Sequence, residues 1–98
     1  MISHLAVFRW HDDVDPADVE RLCAALATLP AQIPELASYR FGPDLGLRAG
    51  NADFGVLAQL PDAAAVATYL DHPAHQDVVR TFTSVMVAQR ATVQFVSG

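Results

Sequence analysis

From Ile2 to Trp10 the chain is dense in β-branched and aromatic residues, broken only by Ser3, His4 and Arg9. That pattern predicts a strand. Period-two alternation sets His4, Ala6, Phe8 and Trp10 on one face and Leu5, Val7 and Arg9 on the other. Both faces are largely apolar, which predicts cover on both sides. His11-Asp12-Asp13 is a polar break, after which the period changes. Asp15 is suited to cap a helix, Pro16 to open it, and Asp18 and Glu20 to sit in its first turn. Val19, Leu22, Cys23, Leu26 and Leu29 form one apolar stripe at helical spacing. Pro30 and Pro34 are expected to end this helix in a loop.

A shorter strand is predicted over Leu36 to Phe41, closed by Gly42-Pro43-Asp44. Gly46 to Asn51 has turn chemistry and no period, and reads as a mobile loop. Phe54 to Leu60 is a third strand. Asp62 opens a second helix, with Val66, Tyr69 and Leu70 on one face. It must break near His72-Pro73, since proline keeps the preceding residue out of the α region. Helix then resumes from Ala74 to about Thr83 with Val78, Val79 and Phe82 inward, and Val85 to Val96 is the last strand.

The order β-α-β-β-α-β predicts an α+β, ferredoxin-like domain spanning residues 1–98, a four-stranded antiparallel sheet with helices on one face. The other sheet face would be bare. Leu5 and Val7 supply apolar surface there, and two sheets packed face to face would cover it. The chain is 52% hydrophobic and 17% charged over only 98 residues, more apolar surface than so small a monomer hides well. A homodimer with a barrel-like core is therefore expected.

Charge narrows the partners. The net charge is −5 and all six cationic side chains are arginines, with no basic run among them, so nucleic-acid binding is not expected. Gly46-x-x-x-Gly50 lacks a following Lys and precedes a strand, so it is no phosphate loop. The N-terminus has no signal-peptide pattern and every apolar run is too short to span a bilayer, which makes cytoplasm the expected location and a membrane an unexpected partner. A single cysteine, Cys23, allows no internal disulfide, and on an apolar stripe it reads as a small core residue rather than a nucleophile.

The candidate chemistry gathers in Tyr69-Leu70-Asp71-His72-Pro73-Ala74-His75. His75 has the right type of side chain for a general base, and Tyr69 has a hydroxyl that could stabilise an oxyanion in a dry pocket. Six positions are a poor same-face spacing on a regular helix, but a break at His72-Pro73 could swing His75 back toward Tyr69. The other reading is that both histidines only satisfy backbone groups freed by Pro73. His4 lies on the strand face expected to meet the helices, and His72 suits a helix C-terminus as a cation. His72-x-x-His75 has plausible metal-ligand spacing and His11-Asp12-Asp13 is a second local cluster, but the proline disrupts regular helix geometry and the histidine pair has no third ligand in sequence, so neither a metal nor any other cofactor is expected.

Three stretches together resemble the stress-responsive dimeric α/β-barrel family, or Dabb. They are Ser3-His4-Leu5-Ala6-Val7-Phe8-Arg9; Leu26-x-x-Leu29 with Ile33-Pro34 and Gly42-x-Asp44; and Ala67-x-Tyr69-Leu70-x-His72-Pro73-Ala74-His75-x-x-Val78. The resemblance implies a homodimer with a shared barrel and a cleft between helices and sheet. Some plant members are similar to polyketide cyclases, in which a histidine after the His-Pro dipeptide acts as base and a tyrosine six residues earlier binds or polarises the substrate. Those positions are His75 and Tyr69 here, with His4 as the first-strand histidine. The chain departs from the cyclases at Phe54, where they have a histidine, and at Leu26, where they have a tyrosine.

The resemblance thus implies a cleft binding a small apolar or carbonyl-containing ligand. His75 and Tyr69 would be its catalytic pair, with His4, Phe8, Phe54 and Val66 as substrate-binding residues. The alternatives are a non-catalytic stress-responsive or interaction module, its cleft filled by side chains, and a cofactor-free monooxygenase-like enzyme.

Overall fold

The computed structural model describes all residues, 1–98. Four strands, β1 (Ile2–Trp10), β2 (Ser38–Pro43), β3 (Phe54–Leu60) and β4 (Val87–Val96), form one antiparallel sheet in the order β2-β3-β1-β4. Between β1 and β2 lie α1 (Pro16–Leu26) and α2 (Leu29–Gln32). Between β3 and β4 lie α3 (Ala63–Asp71), α4 (Pro73–Val78), a π-helical turn over Val79–Thr83, and the short α5 (Ser84–Met86). The helical segments lie on one side of the sheet, the ferredoxin-like arrangement expected from the strand–helix order.

Local chemistry accounts for the boundaries. Asp15 and Asp18 form a reciprocal capping box at the start of α1, each carboxylate accepting the other's backbone N–H at 3.0 to 3.1 Å. Asp62 caps α3 by accepting from the Ala65 N–H at 2.8 Å. Pro30 does not end a helix; it opens α2 at an early position, where its missing N–H costs nothing. The helical stripe therefore splits at Ala27–Thr28, and Leu29 returns to the core from α2.

The second strand starts two residues later than the pattern predicts. The Leu36 N–H donates to the Ile33 carbonyl in a turn, and the ladder begins with Ala37 N–H on the Gln59 carbonyl. The strand then runs through Gly42 and Pro43, because β2 is an edge and a proline there forfeits no necessary hydrogen bond. The final strand likewise begins at Val87 rather than Val85, which the π turn and α5 displace. The loop expected to be mobile is tied at several points. Asp44 accepts from Gly46 N–H and the Asn51 amide, and the Arg9 guanidinium donates to the Gly50 carbonyl.

The core lies between helices and sheet. Phe54, Leu22, Leu29, Ile33 and Leu60 are its largest fully buried side chains. Phe8, Trp10 and Phe54 stack together at one end, with ring centroids 5.5 to 6.4 Å apart. On the opposite sheet face, Leu5, Val7 and Leu57 of the inner strands are only half-buried, and Val93 and Phe95 of β4 are about half exposed. Leu5 pairs with both Leu57 and Val93 in register, so these residues make one apolar stripe across three strands that no element of the chain covers.

Candidate functional site

Pro73 has no N–H to give to a preceding carbonyl, and it holds His72 in an extended conformation at φ −62°, ψ 135°. Two helices consequently meet at an angle, and their loose backbone groups are taken up by side chains. His72 Nδ1 accepts the Ala74 N–H at 3.0 Å. This lone-pair role replaces the expected one of a cation at a helix C-terminus. The Leu70 carbonyl accepts from His75 Nδ1 at 3.0 Å and from the Gln76 amide at 2.7 Å.

The bond to Leu70 settles the chemistry of His75. A carbonyl only accepts, so Nδ1 carries the ring proton and Nε2 keeps the lone pair. Burial lowers the pKa of His75 below its ordinary 6.5; the bond to Leu70 opposes this, and the charge of Arg90 adds to the lowering. The imidazole is therefore neutral at physiological pH, in the form a general base requires.

The bend also returns His75 to Tyr69, and their ring centroids are 4.6 Å apart. Tyr69 is 2% exposed, and its hydroxyl lies 2.9 Å from that of Tyr39, which β2 delivers from across the sheet. Burial raises the pKa of both phenols, so both stay protonated. In such a pair one hydroxyl donates to the other, leaving the second proton free for a third partner. His4, buried on β1, makes an edge contact with Tyr69 at 6.2 Å and accepts at Nδ1 from the Gln94 amide at 2.9 Å. Its pKa is lowered by burial first and by His75 second.

These groups border one cavity of about 290 Å³ between helices and sheet. Its apolar wall includes Ala6, Phe8, Leu26, Val56 and Val78, and its polar wall His4, Tyr39, Tyr69, His75, Thr83, Arg90, Thr92 and Gln94. Both ends of the π turn, Val79 and Thr83, face it. Residues four apart share a face in helical geometry, and π turns recur at functional sites.

Of the residues expected to bind substrate, His4 and Phe8 border the cavity, whereas Phe54 and Val66 do not. Phe54 is spent on the stack with Phe8 and Trp10, and Val66 is buried in the core a turn before Tyr69. The cavity is thus not filled by these side chains. Alternation puts Tyr39 on the helix side of β2, but without its Tyr69 partner it reads as one more core aromatic. Arg90, Thr92 and Gln94 alternate on the helix side of β4, a period-two polar signal within Val85 to Val96 that points to no site without the fold.

Cys23 is half-buried on α1, and burial followed by the charge of Glu20 raises its thiol pKa, the opposite of an activated nucleophile. No three His, Cys, Asp or Glu side chains are grouped as a metal site would need. No helix is long and apolar enough to cross a membrane.

An uncharacterised protein of Streptomyces coelicolor is 34% identical over 94 residues, which cover 90% of this chain and 96% of that protein. The crystal structure of a dimeric ferredoxin-like protein of unknown function from Thermobifida fusca has a TM-score of 0.91 at 48% identity, covering 98% of this chain and 90% of that one. A hydroxynitrile lyase from Passiflora edulis superimposes with a TM-score of 0.84 over 99% of this chain and 93% of its own, at 15% identity, a likeness of fold alone. Homologues of this chain are thus dimeric, and the fold is one that also hosts enzymes. The stress responsive A/B barrel domain model matches residues 2–97, and the chain belongs to that family.

Proposed function

We propose that the chain works as a homodimer that binds a small carbonyl compound in the helix–sheet cleft and abstracts a proton next to the carbonyl, the step that opens aldol-type ring closure. His75 Nε2 is the base. The Tyr39–Tyr69 hydroxyl pair donates to the carbonyl oxygen as it gains enolate charge, in a site dry enough for that bond to count. The apolar wall holds the alkyl part of the ligand. One observation carries this reading: His75 has its Nδ1 proton committed to Leu70 while its ring packs, tilted, with its centroid 4.6 Å from that of a tyrosine that ends in a paired hydroxyl. Dimerisation is supported by the uncovered stripe of Leu5, Leu57 and Val93 and by the dimeric Thermobifida fusca relative.

A titration with heptan-2-one, followed through the ring protons of the four histidines by NMR, tests the site. The resonances of His4 and His75 are expected to move, while those of His11 and His72 stay. If the ketone leaves His4 and His75 unmoved at saturation of any other change, the cleft is not its site.

A second reading has its own support. His72 and His75 both satisfy backbone groups at the Pro73 break, which a non-catalytic interaction module would equally need. The two readings part at His75→Gln. Loss of turnover with the fold intact favours the base, and loss of stability alone favours the module.

A further inference from the structure

The cavity's lining carries a positive charge in a chain that is negative overall. The chain as a whole is at −5, yet no Asp or Glu borders the cavity, and a guanidinium does. Arg21 and Arg80 are each ion-paired within their own helical segments, to Asp18 and Asp77, and the Arg9 guanidinium is engaged by the Gly50 carbonyl. Arg40, Arg48 and Arg90 have no carboxylate partner, and of these three only Arg90 borders the cavity. Arg90 pairs in register with Phe8, and its Cζ stands 6.0 Å from the Phe8 ring, so the aromatic face steadies the guanidinium at the cavity's edge. The other polar groups near it are His75, whose pKa it helps to lower, and Thr92 and Gln94 on the same strand, none of them anionic.

Resting on the carbonyl reading above, we propose that the ligand is a small oxo-acid, its carboxylate held by Arg90 and its carbonyl by the tyrosine pair beside His75. An unpaired guanidinium at the mouth of a largely apolar cavity offers the forked donor geometry that matches a carboxylate. Pairing with Arg90 also neutralises the carboxylate, which would otherwise repel the enolate that forms deeper in the cleft. Arg90 is here a specificity residue, acting on what enters rather than on the bond that breaks.

A pair of probes equal in size separates charge from shape. Hexanoate and heptan-2-one differ only in an ionised oxygen against a methyl group. At pH 7.5 the wild-type dimer is expected to bind hexanoate at least about fivefold more tightly, a modest ratio because Arg90 is exposed. The ratio should shrink as salt rises from 50 to 500 mM, amounts chosen for the test to span about a threefold change in screening length. Arg90→Gln should bring it to about one, and Arg90→Lys should keep it above one.

Equal affinity for the two probes in the wild-type protein, or a ratio that survives Arg90→Gln, overturns the oxo-acid proposal and leaves the carbonyl site standing. Failure of both probes to bind overturns the two together. The wild-type ratio and its salt dependence need no variant to fold.

Discussion

At the scale of single residues, the site depends on which groups keep or lose a proton. His4 and His75 are both held below the ordinary histidine value, chiefly by burial. The unfolded chain therefore binds more protons than the folded one between their folded values and about 6.5, and stability rises with pH across that window. The sign gives a prediction: the melting temperature should fall as pH drops from 7 toward 5, and His4→Gln or His75→Gln should flatten the slope. Asp18, held low chiefly by the Asp15 backbone N–H, acts in a different range, below about pH 4, so it does not blur the result. The tyrosines make a second test. The chain has only Tyr39 and Tyr69, and burial raises both. Absorbance at the phenolate band should stay flat past pH 10 and rise only as the protein unfolds. A titration near the free-tyrosine value of about 10 would mean the hydroxyl pair is open to solvent.

At the scale of elements, the bend at His72-Pro73 matters more than either histidine alone. On a continuous helix Tyr69 and His75 would stand about 120° apart around the axis, after six steps of about 100° each. Pro73→Ala lets α3 and α4 fuse, gives Ala74 N–H a helical carbonyl, and turns His75 away. We expect that variant to stay folded but to lose about 10²-fold in turnover, since misplacing a base is costly even where little stability is at stake. His72→Ala, which removes a cap, should instead lower stability by about 0.5–2 kcal/mol in chemical denaturation.

The bend was legible because proline acts on its immediate neighbours, and so were Asp15 and Asp62 as caps and the alternation of β1. The π turn was not, because a one-residue change of helical period leaves no mark in an apolar run such as Val78-Val79. The edge position of β2, which lets Pro43 sit inside a strand, depends on sheet order and is invisible locally. Tyr39 and Arg90 were readable as residues but not as partners, since each meets its counterpart only through the fold.

At the scale of the whole molecule, an apolar stripe and a polar cleft occupy opposite faces of one thin sheet. Leu5, Leu57, Val93 and Phe95 are on the face that dimeric relatives give reason to cover, while His4, Arg90 and Gln94 alternate with them on the face toward the helices. Val93→Arg places a charge in the middle of the stripe without touching the cleft side. Light scattering on that variant should show the mass falling from twice the 10.5 kDa chain mass to one chain. A dimer that survives it would put the interface elsewhere.

The central claim is that the bent segment makes His75 a base for carbon acids. Exchange of the α-protons of heptan-2-one in D₂O at pH 7.5, followed by NMR, tests it most directly. The wild-type dimer is predicted to accelerate exchange over buffer, and His75→Gln to lower the protein-catalysed rate by about 10²–10⁴-fold with fold and dimer intact. No acceleration by the wild-type protein, or an undiminished rate in His75→Gln, would contradict it.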